Sequence, residues 1–215
     1  MPDSAPPRIR PYRPADLDDL YRICLLTADN GQDATQLYTD PQLPGHVYAA
    51  PYAIFEPTLA FLAEDAGGVA GYVIGARDSE AFARKLEADW WPRLRPRYPD
   101  PPASIPEADL TREQHTARWM HHPRPLPADL AERYPSHLHI NLLPRLQGHG
   151  LGRRLIETLT TALRDQGSPG VHLHVSPGNQ RAAAFYRHVG LTEHPAPALR
   201  PYLFTMNLRG PGQDG

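Results

Sequence analysis

Apolar and polar positions alternate in His137-Leu-His-Ile-Asn-Leu-Leu143. This puts Leu138, Ile140 and Leu142 on one face of a strand and His137, His139 and Asn141 on the other. The period then changes. Past a glycine-rich turn, Leu151, Leu155, Leu159, Ala162 and Leu163 form the single stripe of a helix that ends at Gly167. Val171-His-Leu-His-Val175 is the next strand, parallel to the first if the helix is a crossover, with His172 and His174 sharing a face. Asn179 caps a second helix carrying Ala182, Phe185, Tyr186 and Val189 on one side, with Gly190 past its end. Segments 191–194 and 202–208 supply the last strands.

The amino-terminal half is less regular. Arg8 to Tyr12 predicts a short edge strand, because Pro11 cannot donate to a ladder. Pro14 opens a helix with Leu17, Leu20, Tyr21, Cys24 and Leu25 at helical spacing. Residues 29–57 are turn-rich, with a short helix expected between Gly45 and Tyr52. Thr58–Glu64 and Val69–Gly75 flank Gly67-Gly68 as a hairpin. Asp78 begins a helix with Phe82, Leu86, Trp90 and Trp91. From Pro92 to Pro135 the chain is broken and proline-rich, with a short helix expected within 107–120. The organisation predicted is a single α/β domain over 8–209 with an insertion at about 77–135, and flexible tails at 1–7 and 210–215.

Composition narrows the chemistry. A chain of 215 residues can bury a core without staples. A net charge of −2, with no basic run among aromatics, gives no reason to expect a nucleic-acid partner. No stretch approaches the ~18 apolar residues of a membrane span, and the start shows no signal peptide. The one cysteine, Cys24, excludes a disulfide framework and fits a reducing, cytoplasmic setting. The 26 prolines concentrate at the ends and in the middle.

The candidate chemistry sits in Gln147-Gly148-His149-Gly150-Leu151-Gly152-Arg153. Its glycines allow close approach to backbone amides at the positive end of a helix, a natural site for phosphate. A nucleotide-hydrolase loop needs Gly-Lys-Ser/Thr, but Arg153-Arg154 follow Gly152. A dinucleotide fold needs G-x-G-x-x-G and an acidic residue about 20 positions on, and neither is present. The pattern that fits is Gln/Arg-x-x-Gly-x-Gly/Ala. With the segment Asn179-x-x-Ala182-x-x-Phe185-Tyr186-x-x-x-Gly190-Leu191 downstream, the chain resembles the GNAT superfamily of N-acetyltransferases. Trp90-Trp91-Pro92, Tyr98-Pro99 and Tyr134-Pro135-Ser-His-Leu-His-Ile140 further resemble the acetyltransferase-like domain of protein O-GlcNAcase and its bacterial single-domain homologues.

The resemblance implies a mixed, centrally splayed β-sheet flanked by helices on both faces, and acetyl-coenzyme A as the cofactor. Amides from Gln147 to Gly152 would hold its pyrophosphate. Strand residues Leu142 and Leu143 would border the pantetheine arm, where the parallel strands are expected to part after Leu142. Arg145 and Arg153 either meet outer phosphates or are solvated; Asn179 either approaches the pantetheine or simply caps its helix. Ala182 and Phe185 would line the same channel. Tyr186 would protonate the departing thiolate as general acid, or else only pack beside Phe185. The general base does not carry over. His139 and His174 are candidates, Asn141 can orient substrate but not act as base, and no metal is expected. The acceptor would be a small-molecule or peptide amine, walled by residues 29–57 and the insertion, with Trp90, Trp91 and Trp119 as candidate lining. The alternative is a non-catalytic module that binds acetyl-coenzyme A, favoured by the lack of a carboxylate on strand 137–143.

Overall fold

A computed structural model describes residues 6–123, 126–194 and 202–209; the outer parts of the expected tails, 1–5 and 210–215, lie outside the described residues. The elements in chain order are β1 (Arg8–Pro11), α1 (Leu17–Leu25), α2 (Leu43–Tyr48), α3 (Ala50–Phe55), β2 (Ala60–Asp65), β3 (Gly68–Ala76), α4 (Ser79–Asp89), α5 (Trp91–Leu94), α6 (Arg112–His121), α7 (Ala128–Arg133), β4 (Ser136–Leu142), α8 (Leu151–Asp165), β5 (Gly170–Val175), α9 (Gln180–His188), β6 (Thr192–His194) and β7 (Tyr202–Asn207). The described strands form one sheet in the order β1-β2-β3-β4-β5-β7-β6. Every neighbouring pair is antiparallel except β4 and β5.

Register decides which helix covers which face. In β3, Tyr72 lies opposite Asn141 and Ile74 opposite His139, so these side chains share a face with His137. Asn141 bonds Thr27, just past α1, and both His137 and His139 bond Tyr52 of α3. The other face carries Gly71, Val73 and Gly75 with Leu142, Ile140 and Leu138. A Cβ on Gly75 would stand 3.1 Å from Leu159 of α8, so α8 packs there. Phe204 lies opposite Leu173 and touches Tyr186, which sets α9 on the α8 side. Helices therefore flank both faces, as expected.

Four local expectations are corrected. The helix between Gly45 and Tyr52 is two helices, α2 and α3, broken at Ala49 because Pro51 has no N–H to continue the ladder. The helix in the insertion starts only at Arg112, where Thr111 and Gln114 form a reciprocal capping box. Helix α7 was not foreseen; it follows Pro127 and has no apolar stripe to announce it. Trp91 does not line a surface site: it is 1% exposed, in the same buried cluster as Leu20 and Leu208, and Trp90 donates Nε1–H to the His46 carbonyl at 2.9 Å.

Candidate active site

After one turn of 3-10 helix at Pro144–Leu146, the chain passes Gly148 (φ +79°) and Gly150 (φ +71°), and α8 begins. A Cβ at either glycine would meet nothing within 4 Å, so the left-handed backbone and not space demands glycine. Among the described residues, the amides of Gly148, His149, Gly150, Leu151, Gly152 and Arg153 donate no hydrogen bond, and no side chain caps the helix. These free donors, at the positive end of a 15-residue helix, make an anion cradle. Gln147 departs from expectation. Its amide donates to the Pro144 carbonyl at 3.1 Å, and its side-chain Nε2 donates to the Leu142 carbonyl at 2.7 Å. The row of free amides therefore starts at Gly148.

The strands part earlier than expected. Pairing of β4 with β5 is confined to Ser136–Val171 and His137–His172, so separation begins at Leu138 and not after Leu142. The reason lies in the outer partners. β4 stays paired with β3 as far as Leu142, whereas β5 stays paired with β7 over its whole length, and each follows its own half of the twisting sheet. Past this point the facing edges of β4 and β5 are not paired with each other. Leu142 lies on that edge of β4, and the Leu143 amide donates to Ala70 at 2.8 Å.

Helix α9 closes the other side. The Asn179 side chain accepts from the Ala182 amide at 3.0 Å, a helix cap. A Cβ on Gly152 would fall 3.0 Å from the Phe185 ring, so only glycine lets α8 and α9 meet this closely. Ala182 and Phe185 are partly buried, and Ala183, not foreseen, is fully buried. Tyr186 is 8% exposed, its ring beside Phe185 and Phe204. Its hydroxyl makes no hydrogen bond among the described residues, and burial pushes the phenol above its ordinary pKa. It is thus held protonated near neutral pH.

The arginines are placed differently from one another. Arg145 turns to the β2–β3 hairpin, where it meets Asp65 at 3.1 Å and the carbonyls of Gly67 and Gly68 at 3.3 and 3.1 Å. Arg145 also lines, with Leu146 and His149, a cavity beside that hairpin. Arg153 donates to the His188 carbonyl at 3.1 Å but stays exposed at the start of α8, as does His149 in the turn. Arg181, missed from the sequence, donates to the Gln147 side chain at 3.2 Å and lies against Gly31. Gly31 belongs to a two-residue turn, Asn30 (φ +52°) and Gly31 (φ +87°), between Asp29 and Gln32.

On the opposite face stand four imidazoles. Ring centroids are 5.7 Å apart for His137–His172, 5.7 Å for His172–His174 and 6.3 Å for His137–His139. His174 is exposed and His172 buried. Burial first, then the neighbouring imidazoles, lowers His139 to about 4 and takes His137 well below its ordinary value. Among the described residues no cluster of histidine, cysteine or carboxylate side chains is arranged to hold a metal ion. Both ring nitrogens of His137 are taken by hydroxyls, Ser79 at 2.7 Å and Tyr52 at 2.8 Å. Next along β4, Asn141 donates Nδ2–H to Thr27 Oγ1, whose own proton goes to the Ile23 carbonyl at 2.7 Å. Asn141 therefore presents its carbonyl oxygen to the site. Tyr48 lies 5.9 Å from the His139 ring and 5.8 Å from Trp119, which is 37% exposed. Tyr48, Tyr52, Thr27 and Ser79 reach this region through contacts distant in sequence, and no periodicity announces them.

A splayed mixed sheet with a free amide row at the head of its crossover helix is the architecture of an acyl-coenzyme A-type transferase. The chain belongs to the acetyltransferase (GNAT) family, whose profile matches residues 29–191. The crystal structure of SsHAT is similar, with 39% identity and a TM-score of 0.85 over 95% of this chain and 99% of that one. Protein O-GlcNAcase of Rattus norvegicus is 25% identical over 186 residues, 86% of this chain. The Mus musculus protein of that name matches to the same extent, and the chain spans about a fifth of the length of either. A more distant likeness in fold is the structure of yncA, a putative acetyltransferase from Salmonella typhimurium with its cofactor acetyl-CoA. It shows 15% identity and a TM-score of 0.54, with 96% of each chain covered. The family expected from the glycine turn and the Asn179–Gly190 segment is thus the one found.

Proposed function

We propose that this protein moves an acetyl group from acetyl-coenzyme A to an amine, small molecule or peptide, by direct attack. The observation that carries the proposal is the row of free amides from Gly148 to Arg153, at the head of the helix that follows β4, in a sheet whose strands β4 and β5 cease to pair at Leu138. When bound, the coenzyme supplies an acetyl thioester already activated for attack. The amide row holds its pyrophosphate, with exposed Arg153 beside it, and the free edges of β4 (to Leu142) and β5 border the pantetheine arm. Ala182 and Phe185 wall the channel from α9.

An amine reaches the site as its ammonium and must lose a proton before its nitrogen can attack. His139 Nδ1, unprotonated at neutral pH, receives that proton. Because burial lowers His139 to about 4, the transfer is uphill from an ordinary ammonium and suits an acceptor whose ammonium is itself made more acidic in the site. The Asn141 carbonyl oxygen accepts an amine N–H and orients the nitrogen. The new C–N bond forms as the C–S bond breaks with its electron pair to sulfur, and Tyr186 gives that sulfur its proton. The attacking nitrogen has a second proton to lose as the amide forms. That proton passes through solvent to the Tyr186 phenolate, and His139 gives its own proton to solvent, so one proton is released overall. Tyr48 and Trp119 border the acceptor side of His139, which suits an acceptor with an apolar surface near its amine.

Release of free thiol from acetyl-coenzyme A, measured against a panel of amines and lysine peptides, tests this. Amine-dependent thiol release is expected. Binding of acetyl-coenzyme A without thiol release from any amine would favour the non-catalytic module, the reading that the missing β4 carboxylate supports.

A further inference from the structure

The hydrogen bonds behind His139 run in one direction. Each hydroxyl has a single proton to give, and a carbonyl can only accept. Ser79 Oγ lies 2.6 Å from the Pro135 carbonyl, so its proton goes there. At His137 Nδ1, 2.7 Å away, Ser79 can therefore only accept, which puts a proton on Nδ1. Burial keeps His137 neutral, so its Nε2 carries a lone pair and takes the Tyr52 proton at 2.8 Å. Burial also holds the Tyr52 phenol protonated. With that proton committed, Tyr52 Oη can only accept from His139 Nε2, 3.0 Å away. His139 is then the Nε2–H tautomer. Its other nitrogen, Nδ1, is the basic one and makes no hydrogen bond among the described residues. Reversal would require the Pro135 carbonyl to donate. The carbonyl is fixed, since it also accepts the Ser79 amide at 2.8 Å.

We infer that Ser79, His137 and Tyr52 form a one-way hydrogen-bond chain that holds His139 as its Nε2–H tautomer, with Nδ1 as the lone pair that takes the proton of the acceptor ammonium. The inference rests on the acetyl-transfer reading for the use of that lone pair, but the tautomer stands independently of it. Tyr52 and Ser79 are positioning residues; they act through His137 and His139 and touch no substrate. Tyr52 is fit for this. Its ring is stacked on Phe82 at 4.6 Å and buried, so its hydroxyl has one position. Once His139 carries a second proton, the same Tyr52 oxygen still accepts from Nε2–H, so protonation at Nδ1 breaks no bond in the chain.

The test is the two-bond 1H–15N spectrum of the full chain labelled with 15N-histidine, at pH 7.5, with His139 assigned by loss of its signals in His139→Gln. The expected spectrum shows His139 protonated at Nε2 and bare at Nδ1. Tyr52→Phe keeps the stacked ring and removes the bridging oxygen, so it should shift His139 towards a mixture of tautomers. It should also lower kcat by about 10-fold or more, with the acetyl-coenzyme A Kd within about twofold of wild type. Ser79→Ala, at a partly exposed site that folds without its hydroxyl, should perturb the His137 pattern first and His139 through it. A wild-type His139 protonated at Nδ1, or a His139 spectrum unchanged by both substitutions, would overturn the inference. If the tautomers behave as described while no amine releases thiol, the acetyl-transfer reading falls and the hydrogen-bond chain stands.

Discussion

Burial holds the histidines of β4 and β5 neutral, and stability must depend on pH as a result. His139 and His172 are lowered to about 4 from an ordinary value of 6.5, and His137 is lowered well below that value too. Between pH 6.5 and 4 the unfolded chain binds more protons than the folded one at these positions, so stability falls on acidification through that window and levels off below it. Melting followed by circular dichroism should show Tm falling by several degrees from pH 6.5 to 4.5, and the fall should shrink in His139→Gln. Gly150 gives a second prediction. Alanine there must adopt φ near +71° with no clash to blame, at a cost of about 1–2 kcal/mol. Gly150→Ala should lower Tm by a few degrees and raise the acetyl-coenzyme A Kd about 10-fold in calorimetry, as the amide row is displaced. An unchanged Kd would remove the amide row from phosphate binding. At this scale the sequence was legible where one residue type answers one constraint, as at Gly148, Gly150 and Asn179. It was silent on Tyr52 and Thr27, whose importance lies in hydrogen bonds to residues more than eighty positions away.

Among the elements, the two that carry the cofactor chemistry were the most legible. Helix α8 has a clean apolar stripe and glycines at both ends, and β4 alternates polar and apolar residues from His137 to Leu142. Their contact with β3 is less visible in the sequence. A Cβ on Gly75 would stand 2.9 Å from the His137 carbonyl and 3.1 Å from Leu159, so β3, β4 and α8 meet at a glycine that periodicity alone reads as a filler. Gly75→Ala should cost about 1–3 kcal/mol, read as a Tm lower by roughly 5 °C, because backbone as well as a leucine must give way. The point of strand separation was misjudged for a similar reason. Where β4 leaves β5 depends on β3 and β7, the strands outside the pair, and neither appears in the pattern of the pair itself. In the insertion, capping chemistry at Thr111 set the helix start where loosely spaced apolar residues could not.

Across the whole molecule, the proposed mechanism divides cofactor recognition and acceptor recognition between the two faces of the sheet. Helices α8 and α9 and the glycine turn lie on one face, built from contiguous, motif-bearing sequence. The imidazoles of β4 and β5, with Tyr48, Tyr52 and Trp119, lie on the other, and the three aromatic residues come from segments that share no local signature with the strands. That division explains why the family could be read from the chain, and His139, Asn141 and Trp119 named, while the partners that hold them, Tyr48, Tyr52 and Thr27, emerged only in three dimensions. It also means that the two sides can be separated by mutation. In the proposed mechanism Tyr186, on the face of α8 and α9, is the residue on which acetyl transfer depends most directly. The decisive measurement is kcat for amine-dependent thiol release in Tyr186→Phe, alongside its acetyl-coenzyme A Kd. Loss of the proton donor should lower kcat by about 10²- to 10⁴-fold with Kd nearly unchanged. A Tyr186→Phe protein that turns over at the wild-type rate would contradict the assignment of Tyr186 as general acid and the chemistry built on it.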